Sequence, residues 1–550
     1  MQFAERWRNR SHIMILGLRR LLPVVFAILF LSIPPILFWL YPSSLWANTD
    51  YELHGLADAL NLAYRLADRQ MYPARGLMDH PGVPFYFMSW LALALSGYPT
   101  ASADPGFFAT VIDNIERYRW ISICLGALVG AAGVHLFAHT ARKLVPAGVA
   151  ALGLTVWLVS TPATLLMFMS PSIDSFAIVI NALFFVVLVR LAYDRDLLPG
   201  VPALSASVGA LGYLNKLSYV YVMLAFAVTG ILNLVFRRPG WYRASQLCVV
   251  FAVTLVLIVI AVGFVVIGRE GFHSLIEFHK QVFRGSGLYG AGQDVVVSGD
   301  AVWRAIAAIP SDKTYAMYIA LLGGTALVVG GFATGLRGAS HFPVAIIATG
   351  SGLASVLSAA IVLKHYALHY TAGVSATLPA AFVGGYLLLK DWGYLPRTAW
   401  TAAAVAASLF MAAQTMPSLI AVLASRHSTT ELAAADLEDI RVHLRDEKRI
   451  VEFVYKSPFA EYGEGYVVTF GSVPRLTDAY RKRRPNVISS IADGSNDREV
   501  GAYVLDKNYF PTAESVKAAS NVALLSSKPA AMRDGDKLIE LRTTFLLIRR

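Results

Sequence analysis

The sequence predicts a polytopic α-helical membrane protein of about eleven transmembrane helices, followed by a small soluble α/β C-terminal domain. Composition, the length of the apolar runs and the placement of basic residues predict it. The 550-residue chain is 56% hydrophobic and 15% charged, whereas soluble domains carry about 25% charged residues. Its apolar residues gather into runs of about 20, the length at which a helix crosses a hydrocarbon layer roughly 30 Å thick. Helix is the expected spanning form, because in lipid each backbone group must be satisfied within its own segment. The runs also lack the alternation of a transmembrane barrel.

The expected spans are 20–41, 118–139, 145–167, 172–193, 199–214, 217–236, 244–267, 314–335, 341–363, 366–389 and 398–424. The segment 199–214 is short for a span, and the apolar stretch Pro84–Ser96 is expected to lie in the interface. Arg6, Arg8, Arg10, Arg19 and Arg20 precede the first run, which is too long for a signal-peptide core and reads as a retained anchor helix. With the N-terminus inside, the basic residues Arg142/Lys143, Arg190/Arg195, Arg237/Arg238/Arg243, Arg337 and Lys390/Arg397 all fall in inside loops, as the positive-inside rule requires. The multi-pass chain is thus expected in the plasma (inner) membrane, with its tail outside the cytoplasm.

The net charge of +11 does not indicate a nucleic-acid partner. From Arg426 onward there are 20 Lys/Arg and 18 Asp/Glu, so the excess lies in the membrane part, where topology accounts for it. Cys124 and Cys248 both sit inside predicted spans, which excludes a disulfide framework in the tail.

The chain divides at residue 425 into a membrane domain, 1–424, and an external domain, 425–550. Two external loops, 42–117 and 269–313, are long enough to carry function. In the tail, Thr429–Phe453 reads as an amphipathic helix, and Tyr466–Phe470, Ala502–Leu505, Val522–Leu525 and Thr543–Ile548 read as short strands. The basic run Arg481–Arg484 reads as a solvated face or as a contact for anionic lipid or an acidic glycan.

Candidate chemistry gathers in the predicted external segments. The first loop holds Asp50, Glu52 and His54 just beyond the first span, then Asp79-His80-Pro81-Gly82. A carboxylate at the membrane boundary is suited to deprotonating a hydroxyl while a lipid-borne substrate approaches from the side; Asp50 is equally placed to cap a helix. Lys364, His365, Tyr366, His369 and Tyr370 form a second cluster, with donors fit for a phosphate or for anchoring at headgroup level. Lys216 lies between two apolar stretches, as a functional charge or a snorkelling side chain. Asp174 stands at a helix start, where capping is the simpler account. Asp50, Glu52 and His80 are plausible metal ligands, but their spacing matches no specific site, and no cofactor is expected.

In order along the chain, Asp50, Asp79-His80-Pro81-Gly82, Ser170-Pro171-Ser172-Ile173-Asp174, Asn215-Lys216 and His369-Tyr370 resemble the motif series of the GT-C superfamily. These are polyprenyl-phosphate-dependent glycosyltransferases, such as protein O-mannosyltransferases and the aminoarabinose transferases of lipid A. The resemblance covers roughly residues 20–390. It departs from the pattern at Gly82, where a second proline is usual, at Asp174, which is displaced by two residues, and at a His where many members have Arg. It implies a polyprenyl-phosphate-linked sugar as donor, a glycan, lipid or protein hydroxyl as acceptor, and inversion at the anomeric carbon. Asp50 would be the base, Glu52, Asp79 and His80 would orient the acceptor, and Lys216, Lys364, His365, Tyr366, His369 and Tyr370 would hold the donor phosphate. A secondary transporter and an O-antigen-type polymerase or ligase are the alternatives.

Overall fold

The computed structural model describes residues 2–44, 46, 50–68, 82–104, 106–169, 172–194, 196–262, 268–285, 295, 297–394, 397–444, 450–454, 458–471, 474–489, 500–518 and 532–549. The chain is a polytopic helical membrane protein with a small mixed-sheet domain at its C-terminal end. Among the described residues, eight helices are long and apolar enough to cross a membrane, and ten when two bent pairs each count as one span. The bent pairs are Ala147–Val159 with Ala163–Met169, at 77°, and Leu368–Ser375 with Leu378–Trp392, at 41°. Pro162 stands in the first break and Pro379 is in the first turn of the helix after the second, where proline's missing N–H does least harm.

The expected span 199–214 is the helix Gly200–Asn215, with 16 residues, about 24 Å long. It is shorter than its neighbours but joins the same two faces. Just before it, the Leu197 carbonyl accepts from Arg243 Nη2 at 2.7 Å; at its end, Asn215 Nδ2 donates to Ile173 O at 3.1 Å. The segments pack through small residues, which let backbones approach where no hydrophobic force acts between helices. A Cβ on Gly133 would stand 2.7 Å from Val179 N, so Ile115–Ala141 and Ala177–Tyr193 touch at backbone distance.

The last span does not stop at 424. Arg397–His443 is one helix of 47 residues, so the expected break before an amphipathic helix at 429 is absent, and residues 451–453 form a strand instead. The C-terminal sheet has five strands, β1 (Val451–Phe453), β2 (Val487–Ser489), β3 (Ala502–Asp506), β4 (Lys537–Glu540) and β5 (Thr544–Ile548), in the order β2-β1-β3-β5-β4. β1 pairs in parallel with β2 and β3, and the β3–β5–β4 pairs are antiparallel. Residues 466–470, expected as a strand, belong to the helix Ala460–Gly471. Val522–Leu525 lies outside the described residues.

One hydrophobic core joins this domain to the first loop. Leu56, Leu60 and Tyr64 of the helix Asp50–Ala67 are buried with Tyr462, Tyr466 and Tyr480. Asp436, buried near the end of the long helix, accepts from Arg542 N and Thr543 N at 2.8 and 2.6 Å, which fixes the start of β5 on it. The tail therefore lies on the same face as the first loop, opposite the N-terminal end of the first span. Among the described residues the candidate spans thus number eight to ten, and Gly200–Asn215 is not one of them by length and composition.

Half of the basic run is committed to ion pairs, while Arg481 and Lys482 are exposed. Arg483 pairs with Asp113 at 2.8 Å and Glu464 at 3.4 Å, and Arg484 pairs with Glu464 at 2.9 Å and Glu461 at 3.4 Å. Two of the four cations thus tie helices together rather than face solvent. Cys124 and Cys248 are free thiols on the outer surface of the helices.

Candidate functional site

Three interruptions of helix meet at one membrane face. Ser172 is extended before the turn Ile173–Phe176, Lys216 is extended between Gly200–Asn215 and Leu217–Tyr219, and Ala367 is extended before Leu368–Tyr370. Such breaks free backbone polar groups, which at membrane depth must be satisfied by protein or line a polar cavity. Gly82 N–H donates to Asn215 O at 3.0 Å, closing one of them.

The side chains at the breaks converge. Lys216 Nζ lies 2.7 Å from Asp174 Oδ2, both groups buried, and Tyr219 Oη donates to Asp174 Oδ1 at 2.7 Å. Both carboxylate oxygens are therefore engaged. The Lys216 ammonium stands 4.4 Å from the Tyr370 ring centroid, a cation–π contact that gains strength with desolvation. His369 and His365 flank the same ring at 4.1 and 5.5 Å between centroids. Gly373 makes room for this: a Cβ there would lie 2.7 Å from Tyr219 Cε1.

The structure corrects two expectations. Lys216 has no exposed surface, so it does not snorkel. Asp174 is not the cap, because Ser172 Oγ accepts from Asp174 N–H at 3.1 Å and the Asp174 carboxylate faces Lys216. Tyr366 belongs elsewhere: its hydroxyl donates to Asp312 Oδ2 at 2.9 Å and lies 2.8 Å from Thr314 Oγ1. Lys364 Nζ donates to the Val282 carbonyl, joining the cluster to the helix Gly268–Arg284. Burial, reinforced by the Lys216 and Lys364 charges, holds the His365 pKa below the ordinary histidine value, so its imidazole is neutral at pH 7.

Asp50 and Glu52 lie in the first turn of Asp50–Ala67, their side chains outside the described residues; Asp79 and His80 lie outside them as well. The approach to Asp50 is tied down on three sides. Arg119 donates to the Ser43 carbonyl, Ser44 N–H donates to Thr430 Oγ1 at 3.0 Å, and Trp46 packs on Gly463, where a Cβ would collide with its ring. One turn further on, His54 Nε2 and Tyr466 Oη are 2.7 Å apart with their rings stacked. Gly55 lets the Phe85 ring approach, and Phe85 is buried against Ile173, next to Asp174. Among the described residues, no three His, Cys, Asp or Glu side chains are grouped to hold a metal.

Sequence reasoning missed Tyr219, Asp312, Asn215 as a backbone clamp, and the His54–Tyr466 pair. Tyr219 stood three residues from Lys216, but nothing local marks it as a partner of Asp174.

No family model matches the chain, and no curated protein matches it. Its fold is similar to solved structures of ArnT from Cupriavidus metallidurans. The one bound to undecaprenyl phosphate has a TM-score of 0.47 and 12% identity, covering 94% of this chain and 97% of that one. The apo-state structure has a TM-score of 0.46 and 12% identity, covering 95% and 98%.

Proposed function

We propose that this chain is an integral-membrane glycosyltransferase that moves a sugar from a polyprenyl-phosphate donor to an acceptor hydroxyl. The observation that carries this reading is the convergence of Asp174, Lys216, Tyr370, His365 and His369 at one face, with Gly82 of the Asp-His-Pro-Gly stretch bonded to the same break. The same sequence elements carry the resemblance to polyprenyl-phosphate-dependent transferases, and they meet although they lie far apart in the chain.

In this reading the face is external and the donor phosphate rests against Lys364, His365 and His369, with Lys216, locked to Asp174, supporting Tyr370 from beneath. The departing phosphate gains full negative charge as the glycosidic bond breaks, so the Lys364 cation and the hydrogen-bond donors already in place contribute most in the transition state. Asp50 takes the acceptor proton as the oxygen attacks the anomeric carbon from the opposite side, which inverts its configuration. Glu52, Asp79 and His80 orient the acceptor.

A buried ion pair and broken helices also mark secondary transporters, which place them near the membrane midplane between repeats. Here the Asp174–Lys216 pair lies at the ends of its segments, which favours a site at the boundary. Lipid extracts of a strain lacking the chain test the proposal: a polyprenyl-phosphate sugar should accumulate. Unchanged carrier-linked sugars, with a soluble solute failing to cross the membrane, would favour the transporter.

A further inference from the structure

At the opposite face, the short helix Gly200–Asn215 leaves space beside its N-terminal end. Its 16 residues stand between Val220–Arg237 and Trp241–Val262, with 18 and 22 residues. The space is a cavity of about 240 Å³ with walls that include Val201, Phe226, Ile231, Leu247 and Phe251. Polar groups on its wall are satisfied within the protein. Ser205 Oγ donates to Val201 O, Asn233 Oδ1 accepts from Arg237 Nε, and Asp194 Oδ2 accepts from Leu198 N–H. The interior is thus apolar, unsuited to ordered water. It opens sideways where a bilayer would lie, since the lining residues Leu198 and Ile231 are exposed.

Two arginines are anchored beside the mouth, while Asp194 is the charged residue on the cavity wall itself. Arg237 Nη2 donates to Ala192 O at 2.8 Å, and Arg243 Nη2 donates to Leu197 O at 2.7 Å. Among the described residues of 190–197 and 237–243, Arg190, Arg237, Arg238 and Arg243 outnumber Asp194 and Asp196, four to two. Leu197 and Arg238 both hold a left-handed backbone, at φ 50 and 49. That conformation costs a non-glycine residue free energy and is retained where surroundings over-determine it.

We propose that this cavity holds an acyl chain of an anionic glycerophospholipid whose headgroup phosphate faces Arg237 and Arg243. An apolar slot open to the bilayer beneath a net-positive rim is complementary to such a lipid, and basic residues at this depth attract anionic headgroups. The site is distinct from the donor-phosphate cluster, because Lys216 follows the other end of the same helix, about 24 Å away.

Native mass spectrometry of the full chain with equal amounts of phosphatidylglycerol and phosphatidylcholine of one acyl length tests it. Wild type should retain phosphatidylglycerol in preference, on the order of tenfold. Arg237→Gln with Arg243→Gln should abolish the preference. Gly230 lines the cavity and a Cβ there meets nothing within 4 Å, so Gly230→Leu starts a side chain into the slot from an unobstructed Cβ. This variant should keep its Tm in detergent and lose the retained lipid. Equal retention of the two lipids by wild type, or undiminished phosphatidylglycerol in Gly230→Leu, overturns the proposal. Preference surviving in the double arginine variant overturns the headgroup assignment.

Discussion

At one face of the membrane domain, Lys216 is paired with Asp174 and neither side chain is more than 1% exposed; at the other, Arg337 reaches Asp391 with 47% of its side chain exposed. The contact chemistry is the same and the dielectric is not. An exposed pair contributes about 0–1 kcal/mol, whereas removing one partner of a buried pair costs about 3–5 kcal/mol. The second face uses a cation to close a helix end, as Arg237 on the Ala192 carbonyl shows. The first face fixes charge among chain breaks, which is the arrangement a reaction that develops charge requires. Preorganisation, rather than charge count, separates the two.

Single changes at the two faces should have different effects. The largest expected effect is on turnover. Asp50→Asn keeps size and capping ability but cannot accept a proton, so transfer should fall by about 10²–10⁴-fold with expression unchanged. Arg337→Gln, at the other face, should leave transfer near wild type. Comparable losses in the two variants would erase the distinction between the faces.

Next comes the pair itself. Lys216→Met leaves Asp174 uncompensated and should destabilise the fold by about 3–5 kcal/mol. Adding Asp174→Asn should recover much of that stability without restoring transfer. A double variant no more stable than the single one, by thermal denaturation in detergent, would contradict the account of the pair.

Smaller effects follow from two titrating groups. The His365 pKa is lowered by burial and then by Lys216 and Lys364, so His365 is neutral at pH 7 and charges only as pH falls below the usual histidine range. Affinity for a phosphate-bearing lipid should then rise as pH falls, and His365→Gln should flatten that rise. Parallel profiles would remove His365 from the phosphate contact. Asp58, on the helix Asp50–Ala67, is buried, and its Oδ2 has no hydrogen-bond partner among the described residues. Burial raises its pKa well above the ordinary aspartate value. For an acid raised in the folded state, stability is fullest when the group is protonated and is lost as pH climbs through the folded pKa. Asp58→Asn should therefore raise Tm by a few degrees, with the gain growing from low to neutral pH. A gain that shrinks as pH rises would show Asp58 to be charged and paired.

The membrane architecture was legible because hydropathy over about 20 residues reports on the solvent boundary. The mixed C-terminal domain was less so. Tyr466-Val467-Val468-Thr469-Phe470 has strand propensity, yet it is helical because Tyr462 and Tyr466, four residues apart, pack together into the core shared with Asp50–Ala67; tertiary contact overrides propensity. In the site, residue types and their order could be read, but pairing could not. Asp174 and Lys216 are 42 positions apart, and no spacing rule joins them. Tyr366 looked like a phosphate donor beside His365, but its hydroxyl is committed to Asp312 and Thr314, a fact that only the neighbouring helix supplies.

The most direct test of the central claim is whether the first face recognises a lipid phosphate. Polyprenyl phosphate and the polyprenol of equal length would be compared by equilibrium binding to the full chain in detergent, for wild type and for the Lys364→Ala, His365→Ala, His369→Ala triple variant. Charge-assisted bonds of about 1.5–3 kcal/mol each predict that wild type prefers the phosphate by at least about tenfold. The triple variant should lose that preference while binding the polyprenol as before. Equal binding of the two lipids by wild type, or an undiminished phosphate preference in the triple variant, would contradict the account.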